Sequence, residues 1–262
     1  MKNKMKKIIN ILIALCVWSI TFAQNKFGIK NPESKIEIDT TTKFRNNLFN
    51  IGRVVFGIKA GFTYSNIYGS DITYIFADGK TNYQSAFHIG ISVDSKLREY
   101  FWLKHELLFN QNGAGVLLSD SINGTYSSQL KTYYLQLFPI SPTFHIKGFQ
   151  LYVGPYISTL LDAKIQRKNA SGEFYNDHSI FGDASQFENK SKYLQKFDFG
   201  IAAGIEYQFP FGLSIGAKYT HGFTEIFQYA NSYTLNDTKR EIKIYNQGIQ
   251  FSLGYSFNGK RR

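Results

Sequence analysis

The chain of 262 residues is poor in cysteine, methionine and proline, with 1, 2 and 5 copies respectively. One cysteine cannot form a disulfide framework, and it cannot supply the thiolate ligands of a structural zinc site. An intrinsically disordered chain is excluded too, because such chains have few hydrophobic residues, whereas 43% of the residues here are hydrophobic. What remains is a chain rich in aromatic residues (17%) and glycine (22 copies), with a mean hydropathy of only -0.25. This composition and length fit a single all-β domain.

The first 23 residues have the three parts of a secretory signal peptide. Four lysines and no acid lie in Met1–Lys7, an apolar run follows over Ile8–Trp18, and Ala23 is a small residue at the cleavage position. The only cysteine, Cys16, lies inside this segment. The sequence therefore predicts export, cleavage after Ala23, and a mature chain that does not rely on disulfides.

The positive charge of the chain lies on its flanks. The net charge falls from +11 to +7 once the four lysines of the signal peptide are removed, and most of the rest lies in residues 24–53 and in the last three residues. Nucleic-acid binding calls for one basic patch on a domain, so we predict no nucleic-acid partner. The predicted segments are a signal peptide at 1–23, a periplasmic N-terminal segment at 24–53, a β-barrel at 54–257 and a basic periplasmic tail at 258–262.

After the signal peptide no run of 18 apolar residues occurs, so the sequence predicts no transmembrane helix. Instead, apolar residues alternate with small or polar ones over about ten positions, which is typical of membrane-spanning β-strands. Seven segments show this alternation: 54–64, 87–94, 101–109, 149–157, 197–209, 213–220 and 248–257. A weaker eighth strand covers Lys131–His145, where Pro139 and Pro142 predict a bulge because proline cannot donate to a β-ladder.

The connections between these strands alternate in length. Short ones at 96–100, 147–148 and 210–212 alternate with long polar ones, of which the longest covers about 164–195. An even strand number with short turns at one rim and long loops at the other is typical of bacterial outer-membrane barrels. We therefore predict an all-β fold, an eight-stranded antiparallel transmembrane β-barrel with short periplasmic turns and long extracellular loops, in the outer membrane of a Gram-negative bacterium.

Alternation alone fits both a membrane barrel and a soluble barrel with its apolar face inward. Glycine distinguishes them, because a narrow lumen needs small side chains and a solvated strand face does not. Ten glycines lie on the face opposite the apolar residues: Gly57, Gly61, Gly90, Gly154, Gly200, Gly204, Gly216, Gly222, Gly248 and Gly254. Aromatic residues at both ends of the apolar face match the girdles at membrane interfaces. We therefore expect the apolar face to contact outer-membrane lipid.

The glycine-bearing face also carries eight titratable residues: Lys59, His88, Asp94, Lys104, Glu106, Asp198, Glu206 and Lys218. They form either an ion path or a network of paired charges that plugs the lumen. We favour the plug, because eight strands leave no continuous aqueous channel and buried charges need partners. The expected hairpin registers place Lys218 diagonal to Glu206, within reach of its side chain, and Lys104 opposite Ser92.

Patterns for catalysis or metal binding are weak. The sequence contains neither Gly-x-Ser-x-Gly nor His-Glu-x-x-His. His88 shares its face with Ser92 and Asp94, and His178 follows Asp177 in the longest loop, where a solvated polar loop is the simpler interpretation. We predict no enzymatic activity, no cofactor and no metal.

The long loops contain aromatic residues among polar ones, including Tyr68, Tyr74, Phe76, Phe174, Tyr175, Phe181 and Phe187. These side chains either bind a partner or pack together over the barrel, and the sequence leaves both possibilities open.

Several motifs resemble those of the Bacteroidetes outer-membrane β-barrel family known as PorT-like. They include Gly57–Phe62, His105–Gly113, Val153–Tyr156 and Leu253–Phe257, and the resemblance spans residues 54–257. It implies an outer-membrane barrel, and Phe257 resembles the terminal aromatic residue that the barrel-assembly machinery recognises.

Three functions follow from the sequence and the resemblance. The first is a non-enzymatic barrel with a structural or interaction role through its extracellular loops. Some PorT-like proteins take part in type IX secretion and gliding, so the resemblance implies an accessory role there, with a secretion-system partner, as the alternative to a surface partner. A lipid-modifying enzyme is the third.

Overall fold

A computed structural model describes residues 53–178, 194–227 and 242–257. The predicted signal peptide, the N-terminal segment up to residue 52 and the tail at 258–262 lie outside the described residues. In the parts described, no helix is long and apolar enough to cross a membrane.

Nine strands and one short helix make up the described fold. They are β1 Arg53–Gly69, α1 Ile72–Ile75, β2 Thr81–Lys96, β3 Phe101–Asp120, β4 Gly124–Ile146, β5 Phe149–Lys168, β6 Phe174–Asp177, β7 Phe197–Gln208, β8 Leu213–Gly222 and β9 Ile244–Phe257. Eight strands pair antiparallel in a ring, closed where β9 meets β1 and where β4 meets β5. The short β6 pairs only with the extracellular end of β5. The predicted eight-stranded antiparallel barrel is confirmed.

The alternation along β1 shows which face points outward. Phe56 and Phe62 are 55% and 72% exposed, whereas Lys59 between them is buried. An apolar exterior around a polar interior is the arrangement of a barrel in lipid. The outward apolar band runs from Val54 to Tyr64, and ten residue steps of a tilted strand span roughly 25 Å, the height of such a band.

Glycine on the inward face makes room for the lumen side chains. A Cβ atom on Gly204 would lie 2.5 Å from Cζ of Tyr152, and one on Gly254 would lie 2.6 Å from Oγ of Ser214. Real Cβ atoms do not approach other atoms so closely, so a larger residue at either position would have to displace the Tyr152 ring or the Ser214 hydroxyl in the narrow interior.

The periplasmic turns are tight, as predicted. Lys147 and Gly148 join β4 to β5 with φ angles of 46° and 95°. Positive φ at both central residues is the mark of a two-residue type I′ hairpin, whose twist matches that of the strands. Gly212, with a φ angle of 100°, lies in the turn between β7 and β8.

The connection between β3 and β4 was predicted to be long, and this prediction was wrong. Both strands continue beyond the membrane, and only residues 121–123 form the turn. The Asp120 carboxylate accepts hydrogen bonds from the backbone N–H groups of Ile122 and Asn123, at 2.9 and 2.7 Å. Above the lipid the outward face no longer has to be apolar, so the pattern that identified strands fades although the ladder continues.

The predicted bulge near the prolines of β4 is present. The register between β4 and β5 shifts between Leu137 and Thr143, a stretch that contains Pro139 and Pro142. Nδ1 of His105 lies against the carbonyl oxygen of Pro139 at this irregularity.

The predicted register between β2 and β3 was wrong by two residues. Lys104 lies opposite Asp94 rather than Ser92, and Glu106 lies opposite Ser92. Two backbone N–H groups of the turn donate to the carbonyl oxygen of Phe101, at 3.0 and 2.9 Å, and so close the turn tightly. This register places a lysine and a carboxylate directly opposite each other on the inward face.

Candidate functional site in the lumen

Six of the eight predicted lumen residues meet in the periplasmic half of the barrel. We call them the ion cluster: Lys59, Asp94, Lys104, Glu106, Glu206 and Lys218. They come from β1, β2, β3, β7 and β8, because the inward position of each strand at this height carries one or two of them. Three lysines face three carboxylates, so their formal charges balance.

Glu106 lies at the centre of the ion cluster. Its Oε1 accepts a hydrogen bond from Nζ of Lys59 at 2.7 Å, and its Oε2 accepts one from Nζ of Lys218 at 2.6 Å. The three side chains are at most 4% exposed. The expected contact between Lys218 and Glu206 was wrong, because in a ring of eight strands a long side chain reaches the facing wall.

Glu206 and Asp94 complete the ion cluster. Glu206 accepts hydrogen bonds from Lys59 and, at 3.3 Å, from Nζ of Lys104. Lys104 also lies 3.3 Å from Oδ1 of Asp94, whose side chain is 10% exposed. Each lysine of the cluster thus contacts at least one carboxylate, as buried charges require.

Aromatic rings pack against the lysines of the ion cluster. Nζ of Lys218 lies 3.5 Å from the centroid of the Phe138 ring, and Nζ of Lys104 lies 5.4 Å from that of Tyr152. A cation over a desolvated ring face is attracted by the ring quadrupole. These rings also occupy space across the lumen that water would otherwise fill.

His88 belongs to a separate group. Its Nε2 lies 2.8 Å from Oγ of Ser252, and its Nδ1 lies 3.1 Å from Oγ1 of Thr63. Ser92 and Asp94, which share the inward face of β2 with His88, are not among these two partners. A serine beside a histidine supplies the nucleophile and the general base of a catalytic triad. Here the other ring nitrogen contacts the Thr63 hydroxyl instead of the carboxylate that orients the histidine in such a triad. The imidazole is 1% exposed, and the two hydroxyls hold it in place.

Asp198 also lies apart from the ion cluster. Its Oδ2 accepts hydrogen bonds from Tyr156 at 3.3 Å and from Nδ2 of Asn246 at 3.1 Å. Its Oδ1 makes no hydrogen bond, and none of the cations that the structure describes forms a salt bridge with it. Asp198 is only 4% exposed.

A layer of amide side chains lies above the ion cluster. Nδ2 of Asn110 donates to Asn112 at 2.8 Å and to Oε1 of Gln136 at 3.4 Å, and Nε2 of Gln250 donates to the same Oε1 at 3.1 Å. These residues come from β3, β4 and β9. Nothing in the strand pattern distinguished them, because an inward asparagine or glutamine looks like any polar residue at that position.

Apolar side chains fill the extracellular end of the barrel. We call this group the apolar layer: Ile67, Phe76, Ala114, Val116, Leu130, Tyr134, Leu160, Ala163, Ile165, Leu194, Ile226, Phe227, Ile242 and Ile244. Phe76 enters it from the connection after α1 and is 1% exposed. At least this loop aromatic packs over the barrel, which was one of the two possibilities for the loop residues.

Other loop aromatics remain on the surface. Tyr74, Phe174 and Tyr175 are 43%, 55% and 47% exposed. Phe181 and Phe187 lie outside the described residues. Among the described loop aromatics, Phe76 therefore packs in the apolar layer, whereas Tyr74, Phe174 and Tyr175 face the solvent. Tyr68 lies on β1, where its hydroxyl donates to the carbonyl oxygen of Gly222 at 2.8 Å.

In the described part of the chain no group of three or more His, Cys, Asp and Glu side chains is arranged to hold a metal ion. Nδ1 of His178 lies 3.5 Å from Oδ1 of Asp162, and Asp177 forms a salt bridge of 2.8 Å with Arg167. These contacts occupy two of the residues that the sequence offered as weak metal ligands.

A closed ring of eight strands with an apolar exterior, a polar and filled interior and short turns at one end defines a small outer-membrane β-barrel. The chain belongs to the outer membrane protein beta-barrel domain family, which matches residues 22–228. Membership of this family places the protein in the outer membrane of a Gram-negative bacterium. No curated protein matches the chain in sequence.

Several solved structures are similar to this chain. Neisserial surface protein A is 12% identical, with a TM-score of 0.41, over 77% of this chain and 97% of that one. OprG of Pseudomonas aeruginosa is 13% identical, with a TM-score of 0.39, over 78% and 95%. Ail, the attachment invasion locus protein of Yersinia pestis, is 12% identical, with a TM-score of 0.38, over 78% and 98%. At such values the similarity concerns the architecture and carries no information about ligands.

Proposed function

We propose that this protein is a non-enzymatic outer-membrane barrel whose lumen is closed and which acts through the surface of its extracellular end. The observation that carries the proposal is the ion cluster, in which Glu106 joins lysines from two other strands across the lumen. Side chains that are paired and buried across the whole width of a narrow barrel oppose a conducting path.

The apolar layer supports the same proposal at the other end. Leu130, Ala163 and Ile165 are 1%, 0% and 0% exposed above the ion cluster. An ion that entered from outside would lose its hydration among these side chains, and this is strongly unfavourable. The lumen is therefore closed by two different layers in series.

The extracellular end offers surface for contacts. Strand β3 continues for eleven residues beyond Phe109, up to Asp120. This extension has a length of about 35 Å along the strand. Ile122 at the tip of the β3–β4 hairpin is 69% exposed, and Phe174 on β6 is 55% exposed. Exposed apolar side chains on rigid hairpins suit binding to another protein or a glycan.

The sequence motifs extend this proposal to the PorT-like branch of barrels from Bacteroidetes, with an accessory role in type IX secretion or gliding as the alternative. If the alternative holds, a stable secretion-apparatus partner should co-purify with the detergent-solubilised protein. Recovery of the barrel alone under conditions that preserve that apparatus would argue against it. The proposal also includes cleavage after Ala23, to be checked by N-terminal sequencing, and assembly by the barrel-assembly machinery from the β9 end at Phe257.

Conductance tests the closed lumen. We expect the purified protein to show negligible single-channel current in planar bilayers. Lys218→Gln changes one lumen charge, and Lys147→Gln at the exposed periplasmic turn is the matched control. A steady ohmic current in the wild type, with an ion selectivity that Lys218→Gln changes and Lys147→Gln does not, would show that the protein is a channel.

Single cysteines test the role of the extracellular end, because the only native cysteine lies in the predicted signal peptide. A membrane-impermeant maleimide on intact cells should label Ile122→Cys and leave Phe211→Cys, at the opposite rim, unlabelled. A cross-linker attached at Ile122→Cys should then capture one defined surface partner. Labelling of Phe211→Cys alone would reverse the orientation and contradict the proposal.

A further inference from the structure

Two lysines lie directly opposite each other on the outer face of the barrel. Lys131 on β4 and Lys164 on β5 are register partners. Their chain neighbours Leu130 and Ile165 point inward and are 1% and 0% exposed, so both lysines point outward. Directly opposed residues have Cβ atoms roughly 5 Å apart, and like charges in that position repel each other.

The lysine pair lies just above the lipid-facing band. The next outward row towards the membrane is Tyr133 opposite Asp162, and the row below it is Leu135 opposite Thr159. Nζ of Lys164 lies 5.9 Å from the centroid of the Tyr133 ring. A tyrosine with cations above it is the order expected where acyl chains give way to headgroups.

A third lysine lies just before the next strand of the ring, β7. Lys196 is exposed, immediately precedes β7, and has its Nζ 5.9 Å from the centroid of the Phe197 ring. Its carbonyl oxygen accepts a hydrogen bond from the backbone of Leu160, which places it beside β5. Within the described ranges none of the three lysines forms a salt bridge. Asp162, one row lower, faces His178 at 3.5 Å.

The far side of the same rim has a different composition. Tyr64 on β1, Tyr83 on β2 and Tyr219 on β8 occupy its outward positions and are 45%, 40% and 43% exposed. Tyrosines suit a membrane interface without any particular headgroup charge. The opposed lysine pair is therefore a feature of the β4–β5 side. The exposed Lys80 and Lys243 lie singly outside the ladder, just before β2 and β9.

We propose that Lys131, Lys164 and Lys196 form a binding site for the phosphorylated headgroup of an outer-leaflet lipid. A phosphate between two opposed ammonium groups turns their repulsion into charge-assisted hydrogen bonds. The continuous apolar surface below the lysines accommodates the acyl chains of the same molecule. This continuity favours a lipid over a free phosphate ion.

The test uses the full mature protein in detergent micelles, titrated with bisphosphorylated lipid A and observed by native mass spectrometry. The variant is Lys131→Gln with Lys164→Gln. The matched control is Arg98→Gln with Lys147→Gln, which removes the same charge from exposed positions at the periplasmic rim. Urea unfolding of both variants in vesicles verifies that each is folded.

We expect the wild type and the control to retain the phosphorylated lipid, and the lysine variant to bind it roughly 25-fold more weakly, at about fivefold for each lysine near an anionic headgroup. Dephosphorylated lipid A should not bind the wild type selectively. Equal losses in the two variants would show that only the net charge matters and would overturn the site. Full competition by millimolar inorganic phosphate would assign the site to a free ion rather than a lipid.

Discussion

In the periplasmic half of the lumen, Glu106 lies between Lys59 and Lys218, and salt bridges connect the members of the ion cluster. At the extracellular end of the same ring, Leu130 and Ile165 pack in an apolar layer. Both groups are almost completely buried. The two halves of one lumen are thus filled with opposite chemistry, and the difference follows what lies outside the wall at each height.

Strand β5 shows how the lumen changes from polar in the membrane part to apolar at the extracellular end. In its membrane part the odd-numbered positions point outward, and Ile157 is 44% exposed. The register with β4 then shifts between Tyr133 and Tyr134. Beyond this irregularity the odd positions point inward, and Ala163 and Ile165 are 0% exposed. The lower part is apolar towards lipid and polar inside, whereas the upper part is polar towards water and apolar inside, like a soluble barrel.

The largest expected effect concerns the ion cluster. Glu106→Ala leaves Lys59 and Lys218 without their shared partner, and removing one side of a buried ion pair costs about 3–5 kcal/mol. Urea unfolding in vesicles should show a loss of this size, while the exposed Glu99→Ala changes little. Glu106→Ala combined with Lys218→Ala should be less destabilised than Glu106→Ala alone. If the loss of unfolding free energy in the double variant equals the sum of the losses in Glu106→Ala and Lys218→Ala, the two residues are not paired.

The apolar layer should respond to lost volume instead of lost charge. Ile165→Ala leaves a cavity among packed side chains and should cost about 2–5 kcal/mol in the same unfolding assay. The control is Ile122→Ala, because that side chain is 69% exposed at the hairpin tip. If both substitutions are equally mild, the extracellular end is not packed as a core and the contrast between the halves disappears.

The smallest effect is expected at Asp198, which lies between the two layers and has no salt bridge with any cation that the structure describes. A buried carboxylate that has hydrogen-bond donors but no cationic partner is unfavourable, so Asp198→Asn should be neutral or stabilising by about 1 kcal/mol. Glu206→Gln, the same chemical change inside the ion cluster, should destabilise the barrel. Equal destabilisation by both variants would mean that Asp198 has a cationic partner.

Much of the fold was predictable from short-range patterns. Alternation with period two identified all eight strands of the ring, and glycines such as Gly204 indicated the lumen face. The prolines at 139 and 142 predicted the bulge in β4. The contacts of the candidate site were less predictable, because neighbouring-strand registers suggested Glu206 for Lys218 whereas the partner is Glu106 on a strand that is not adjacent.

The sequence by itself determined the strand alternation, the number of strands in the ring, the outward face of the membrane part and the identity of the charges inside it. These properties depend on residues that are two positions apart or lie within one turn, so short-range patterns in the sequence are enough to predict them. Only the tertiary structure decided which lysine meets which carboxylate, and it alone decided that Ile165 points inward although Ile157 points to lipid. Both outcomes depend on how the ring closes and where its register shifts, and a one-residue shift exchanges the two faces of a strand without any change in the sequence pattern.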